Sequence, residues 1–271
     1  MRKAILCMIL LTIFLLQGGP GTLAQTPDGN DLTEVDTIIE QANLAAYYAG
    51  RDGRATVRMM ITDAQQRVRE REFTILRFDQ ENGGRQKFYV YFKQPSDVKG
   101  MVFMVHKFVD RDDDRWLYLP ALDLVRRIAA ADKRTSFVGS DFFYEDVSGR
   151  SLSEDEHRLL ETTAKHYVIE SRPRDPATVE FSSYRVWIDK QTMLPLKAEY
   201  QDRENRLYRR VEALKTETIE GHPTVVESRV ENLAAGSVTI SRFSNISYDI
   251  DLKEDLFSER YLRRPPRDAR K

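Results

Sequence analysis

Apolar and polar side chains alternate along most of this chain with a period of two, the pattern of β-strands that bury one face. Segments of this kind are separated by short turn-forming stretches such as Asn82-Gly83-Gly84. Because short links favour antiparallel neighbours, the sequence predicts a meander of about ten strands. The strand-like segments are 56–62, 72–75, 87–93, 101–108, 115–119, 125–128, 184–189, 194–200, 207–214, 224–232 and 237–248.

A long helical pattern is confined to the first part of the chain. Apolar residues recur at helical spacing over 35–46, and Thr33 and Asp36 resemble a capping box at the start of this stretch. Gly50 and Gly53 follow the last periodic residue, where glycine commonly ends a helix. The pattern therefore predicts one amphipathic helix before the first strand.

Two other helical segments are short. Ser140 is placed to cap a helix that runs through Val147, and residues 253–262 are predicted to form a last helical turn. Residues 153–167 are ambiguous, because they begin with a second pair that resembles a capping box. Two strand-like stretches within 157–170 favour a hairpin there, and we expect the hairpin.

The first residues resemble an export signal. Arg2 and Lys3 precede an uncharged stretch over 4–16, which is shorter than the roughly 20 residues that span a bilayer. Small residues then end at Ala24, where cleavage is expected. An uncleaved anchor or a buried helix is the alternative. The sequence thus predicts a signal peptide over the first 24 residues and one exported, periplasmic domain over 25–271.

The composition argues against several classes of function. A formal net charge of −1 does not suit a nucleic-acid binder, and the one cysteine, Cys7, lies in the predicted signal peptide. The four histidines lack metal-binding spacing. No phosphate loop, dinucleotide fingerprint or nucleophile elbow is present. We therefore expect no cofactor, no metal and no catalytic residue.

An acidic group in the middle of the chain leaves two interpretations open. Asp141, Glu145 and Asp146 could act as general acids or bases, for example in an esterase or a glycosidase. Carboxylates are also common at helix starts and on solvated surfaces. We favour the structural interpretation, because no nucleophile motif accompanies these residues.

Aromatic side chains suggest a binding cavity. The chain has 13 Phe, 12 Tyr and 2 Trp, many at alternating strand positions, and ordinary core packing must account for most of them. A wide antiparallel sheet that curls into an open barrel would still leave apolar space inside. A register error of one residue would turn the candidates outward. By parity and apolarity, the cavity candidates are Phe88, Val90, Phe92, Met101, Phe103, Val105, Trp116 and Tyr118.

The segment 136–147, with the sequence Ser-Phe-Val-Gly-Ser-Asp-Phe-Phe-Tyr-Glu-Asp-Val, resembles the signature of the outer-membrane lipoprotein-sorting protein family, a LolA-like group. Weaker matches occur in the expected order and extend the resemblance over nearly the whole chain after the signal peptide. They are Trp116-Leu117-Tyr118-Leu119-Pro120, Arg126-Arg127-Ile128, Val186-Trp187-Ile188-Asp189, Leu194-Pro195-Leu196-Lys197, Leu256-Phe257 and Tyr261-Leu262.

This resemblance implies a mainly β fold with a few helices: an unclosed, strongly curved antiparallel β-barrel whose helical lid encloses an apolar cavity. It implies no catalytic residue. A structural role in holding the lid against the barrel is expected for the motif residues rather than ligand contact. These residues are Gly139, Ser140, Asp141, Tyr144, Glu145 and Asp146.

By the same resemblance, the expected function is that of a monomeric periplasmic carrier. It would bind the acyl chains of a lipid or lipoprotein and exchange them with an inner-membrane transporter or an outer-membrane acceptor. Enclosure suits such cargo, because exposing a chain to water costs about 0.8 kcal/mol per CH₂. The alternative is a lipid-sensing adaptor or regulatory subunit of a membrane transporter or signalling complex.

Overall fold

The computed structural model describes residues 31–271, so the predicted signal peptide and Cys7 lie outside the described residues. Thirteen strands in this part of the chain form one antiparallel sheet. The strands are β1 Asp52–Thr62, β2 Val68–Asp79, β3 Gln86–Gln94, β4 Val102–Lys107, β5 Asp114–Leu119, β6 Leu124–Ile128, β7 Asp155–Thr162, β8 His166–Pro173, β9 Phe181–Asp189, β10 Pro195–Asp202, β11 Leu207–Ile219, β12 His222–Asn232 and β13 Ser237–Tyr248.

The sheet consists of two meanders joined by one long-range pairing. Strands β1 to β6 follow one another from the middle of the sheet to one edge, and β13 back to β7 reach the other edge. The two meanders meet where β1 pairs with β13, for example at Val57 and Phe243. Strands β6 and β7 remain at opposite edges, so the sheet is not closed.

In residues 31–271, four α-helices accompany the sheet: α1 Val35–Tyr47, α2 Tyr144–Ser148, α3 Arg260–Arg263 and α4 Arg267–Arg270. Short 3₁₀ turns lie at Pro120–Leu122, Ala130–Asp132, Leu152–Glu154, Pro176–Thr178 and Glu254–Phe257. Within the described residues, no helix is long and apolar enough to cross a membrane.

The predicted meander and the hairpin over 157–170 are confirmed, the latter as β7 and β8. Two predictions of helix starts are wrong. Helix α1 is preceded by Glu34 and has no side-chain cap, so Thr33 does not cap it. Helix α2 begins at Tyr144, because the Ser140 hydroxyl instead donates to the carbonyl of Phe137 within the preceding loop.

Each face of the first meander carries its own apolar cluster. We call the face of Val57 and Phe73 the inner face; its cluster also contains Phe92, Phe103 and Phe137. The opposite, outer face of β2 to β5 is covered by the chain after β13. Leucine, phenylalanine and alanine side chains from that C-terminal segment pack there on the strands, namely Leu252, Phe257, Leu262 and Ala269.

Strand register places part of the predicted cavity set on the outer face. Val105 and Phe103 of β4 pair with Arg115 and Leu117 of β5, and directly paired residues project to the same face. Trp116 and Tyr118 therefore project to the outer face, where both belong to the cluster under the C-terminal segment. The β5 residues that face inward are Arg115 and Leu117, one position away from the predicted Trp116 and Tyr118.

Candidate functional site

A pocket of about 350 Å³ lies on the inner face where the two meanders meet. It is bounded by β1, β2 and β3 on one side and by β12 and β13 on the other. The end of α1 and the segment between β6 and β7 contribute further residues, including Ala45 and Tyr47 from α1, and Leu194 and Pro195 at the start of β10 complete the lining.

The two strand walls of the pocket differ in character. The wall from β1 to β3 is mostly apolar and includes Val57, Met59, Phe73, Ile75, Phe88 and Val90. The wall from β12 and β13 mixes Val225, Phe243 and Ile246 with hydroxyl groups of Thr224, Ser228, Ser241 and Tyr248. A ligand here would therefore meet hydrocarbon on one side and hydrogen-bonding groups on the other.

The structure places the eight predicted cavity residues in three environments. Phe88 and Val90 line the pocket. Four others lie in the inner-face cluster, where side chains pack against one another: Phe92, Met101, Phe103 and Val105. Trp116 and Tyr118 lie on the outer face and are separated from the pocket by the sheet.

Residues 129–154, which we call the connecting segment, join edge strand β6 to edge strand β7. The segment contributes Phe137, Phe142, Asp146 and Val147 to the pocket. Phe137 is the main apolar contact, since its ring lies 5.8 Å from that of Phe92 and 5.5 Å from that of Phe103, measured between centroids. The segment is thus packed into the inner-face core of the first meander.

Two residues of the predicted motif, Gly139 and Asp141, fix the connecting segment to β2 and β13. Gly139 has a φ of 77° and its carbonyl accepts a hydrogen bond of 3.2 Å from Arg69. The carboxylate of Asp141 accepts hydrogen bonds from the hydroxyls of Ser237 and Thr239, the latter at 2.7 Å. The backbone N–H of Asp141 also donates to Thr239 at 3.0 Å.

Tyr144 and Glu145 anchor helix α2 in different ways. The Tyr144 ring packs 5.0 Å from that of Phe103. Glu145 is 2% exposed and forms ion pairs with Arg134, with Lys133 at 3.4 Å and with Arg150 at 3.4 Å. Burial would raise the pKa of Glu145, but the three cations outweigh it and hold the pKa below its usual range.

Asp146 connects the segment to the second meander. Its carboxylate accepts a hydrogen bond from Arg209 on β11 and one of 2.7 Å from the N–H of Phe143. Arg209 is 2% exposed, and its guanidinium carbon lies 4.4 Å from the centre of the Phe143 ring. The connecting segment therefore contacts both halves of the sheet.

A glycine at the end of α2 allows the segment to approach α1. Gly149 has a φ of 76°, and a Cβ atom there would lie 2.7 Å from Cζ of Tyr47. Any larger residue would push the Tyr47 ring, which lines the pocket. Position 149 joins the motif region to α1, a contact that the sequence did not indicate.

Sequence reasoning missed the pocket residues that come from outside the first meander. Ser228 and Ser241 lie in strands with the period of two. They were missed because the cavity candidates were chosen among apolar and aromatic residues, and serine is polar. Phe137 and Phe142 lay within the motif itself and were available as aromatic candidates. Among residues 31–271, no group of three or more histidine, cysteine or acidic side chains could hold a metal ion.

Comparisons with known proteins agree with this architecture. A family model described as "uncharacterized protein"-like matches residues 84–264. The structure is similar to that of a DUF1329 family protein from Desulfovibrio piger, with a TM-score of 0.75 and 29% identity over 84% of this chain and 96% of that one.

It is also similar to a putative outer membrane lipoprotein-sorting protein domain from Vibrio parahaemolyticus. There the TM-score is 0.77 and the identity 28%, over 85% of this chain and 98% of that one. A LolA superfamily protein from Nitrosomonas europaea shares the fold with a TM-score of 0.65 and 18% identity, over 85% and 100% of the two chains. No curated protein matches the chain. The predicted LolA-like resemblance is confirmed.

Proposed function

The chain belongs to the "uncharacterized protein"-like family whose model matches residues 84–264, and we propose that it is a periplasmic carrier of acyl chains. The observation that carries this proposal is the pocket at the meeting of the two meanders, with its apolar wall from β1 to β3. The similarity to a lipoprotein-sorting domain supports the same class of cargo.

The size and lining of the pocket suit one acyl chain. Taking the roughly 30 Å³ that a water molecule occupies in the liquid as the volume of one methylene group, the pocket holds about a dozen such groups. At about 0.8 kcal/mol per CH₂, burial of these groups would stabilise the complex by roughly 10 kcal/mol before the entropic cost of binding. A pocket of 350 Å³ also falls within the range of small-molecule sites.

The connecting segment and the end of α1 are proposed as the helical lid of this carrier. Both contribute residues to the pocket, as Ala45 and Val147 illustrate. The motif residues Asp141 and Asp146 hold the segment through hydrogen bonds to β13 and β11. These contacts support a structural role for the motif, with Asp141 and Glu145 engaged by protein partners rather than free for acid-base chemistry.

In this proposal the first 24 residues direct export, and the mature domain works as a monomer in the periplasm. It would receive lipid or lipoprotein acyl chains from one membrane component, such as an inner-membrane transporter, and deliver them to an acceptor at the outer membrane. No catalytic step or cofactor is part of the proposed role.

The decisive experiment is to purify the protein from the periplasm and identify bound lipid by mass spectrometry, together with titration of a fluorescent fatty acid. We expect co-purified lipid and saturable binding. Repeated absence of lipid together with no binding of the fluorescent probe would overturn the carrier proposal. A stable protein partner without measurable transfer of cargo between vesicles would favour the sensing adaptor instead.

A pocket-filling variant tests whether binding uses this site. Ala45 lines the pocket, so Ala45→Trp should fill part of it and weaken binding of the fluorescent fatty acid at least tenfold. Ala234 lies exposed in the turn between β12 and β13, and Ala234→Trp is the matched control. Equal binding by both variants would place the lipid elsewhere.

A further inference from the structure

The wall of the pocket formed by β12 and β13 carries hydroxyl groups that differ in their hydrogen bonding. The Thr224 hydroxyl lies 2.9 Å from the carbonyl of His222 and 2.8 Å from the hydroxyl of Tyr248. Ser241 lines the pocket and is only 1% exposed. Its buried hydroxyl has no hydrogen-bond partner among the described residues.

Ser228 lies directly beside Ser241. The two residues are paired in the register of β12 and β13, so their side chains project to the same face as near neighbours. Ser228 also lines the pocket but is only partly buried, and within residues 31–271 its hydroxyl makes no hydrogen bond to another residue. The buried, unpaired hydroxyl of Ser241 and the more accessible hydroxyl of Ser228 therefore border an otherwise largely apolar space.

Buried hydroxyl groups in proteins are normally hydrogen-bonded, and an unpaired one is costly. On the neighbouring strand β1, Met59 pairs with Ser241 and offers only a weakly accepting thioether, while Val57 and Phe73, which also line the pocket, have no polar side-chain atom. A bound ligand can supply the missing partner. A carbonyl oxygen has two lone pairs and can accept from two hydroxyls at once.

Building on the proposed carrier function, we propose that the pocket recognises a single acyl chain by its carbonyl group, with the carbonyl oxygen held by Ser228 and Ser241. The hydrocarbon then lies against the wall from β1 to β3. The volume of about 350 Å³ suits one chain with about a dozen methylene groups inside the pocket. Both an acyl ester and a free fatty acid carry the required carbonyl.

An ester and ether pair isolates the carbonyl. Dodecanoyl glycerol and 1-O-dodecyl glycerol have chains of the same length, but only the first has a carbonyl oxygen. Calorimetric titration of the wild-type protein should show the ester binding about three to ten times more tightly, as expected for one or two net hydrogen bonds. Dodecanoate is the third ligand and reports on the free acid.

The double variant Ser228→Ala with Ser241→Ala should lose the preference for the ester while binding the ether as wild type does. Retained ether binding shows that the variant is folded and that its pocket is intact. Ser244 is exposed on the same strand, so Ser244→Ala is the matched control and should keep the preference.

The outcomes separate this inference from the carrier function. If none of the three ligands binds the wild-type protein, the carrier proposal fails. If the ether binds as tightly as the ester, or if the double variant keeps the ester preference, carbonyl recognition by these serines is overturned and the carrier proposal stands. Tighter binding of dodecanoate or of the ester identifies a free acid or an ester as the carbonyl source.

Discussion

The two meanders of the sheet are packed differently. In β4 five of six residues are buried, and in β3 five of nine, including residues on both faces, because the inner face packs on the connecting segment and the outer face is covered by the C-terminal segment. In β10 every residue is only partly buried. One half of the sheet is thus a core covered on both faces, while the pocket lies where this half meets the more open half.

On the outer face of the second meander, charged side chains form ion pairs where the first meander has packed apolar residues. Arg242 pairs with Glu227 at 2.9 Å, and Arg210 pairs with Glu199 at 3.1 Å and with Glu231 at 3.2 Å. Exposed pairs of this kind each contribute at most about 1 kcal/mol. The second meander does have an apolar cluster, where Ile38 of α1 packs with Ile169 and Ile188, so the contrast between the two halves lies in the covering of their outer faces.

The largest expected effect comes from the core under the connecting segment. Phe137 is 2% exposed and contacts the rings of Phe92 and Phe103, so Phe137→Ala should lower the free energy of unfolding by about 3–5 kcal/mol. The half-buried Phe243 of the second meander is the comparison, and Phe243→Ala should cost about 1 kcal/mol. Urea unfolding measures both, and equal losses would contradict the division between the halves.

A somewhat smaller effect is expected at the buried ion cluster. Glu145→Gln removes the charge that faces Arg134, Lys133 and Arg150, and should cost about 3 kcal/mol, because buried cations lose their counter-charge. Glu227→Gln on the outer face should cost at most about 1 kcal/mol.

The pH dependence of stability provides the check on Glu145. Its pKa is lowered in the folded protein, so its contribution is present above the ordinary carboxylate range and is lost as the pH falls through the folded-state pKa. Wild type should therefore lose more stability in acid than Glu145→Gln does. Parallel acid profiles would show that Glu145 is not the linked group.

The smallest expected effect concerns the cover of the outer face. His106 Nε2 lies 2.6 Å from the carbonyl of Phe257 in the C-terminal segment. Burial lowers the pKa of His106; Lys87 acts in the same direction, while the Phe257 carbonyl, Asp114 and Glu259 partly oppose the shift.

With the pKa lowered on folding, the neutral imidazole favours the folded state above about pH 6.5, and this contribution is lost as the pH falls below that value. Unfolding measured at pH 7.5 and pH 5 should therefore differ less for His106→Gln than for wild type. An unchanged difference would exclude His106 as the source.

How far the sequence predicted this protein depended on the range of the interactions involved. The period of two located the strands of both meanders, because alternation depends only on neighbours along the chain. It misplaced Trp116 and Tyr118, since a strand that is buried on both faces gives no alternation to read. The motif at 136–147 was found by resemblance, but its links to Arg69, Arg209 and Thr239 join residues far apart in the sequence.

By itself the sequence determined a mainly antiparallel β-protein, the helix before the first strand and the family resemblance, because local periodicity and turn residues encode these features. The tertiary structure alone decided that β1 pairs with β13 and that the C-terminal segment covers one face. It also brought Ser228 and Ser241 into the pocket beside Met59 of β1. Those arrangements depend on long-range pairing, and side chains separated by most of the chain become neighbours only when the sheet has formed.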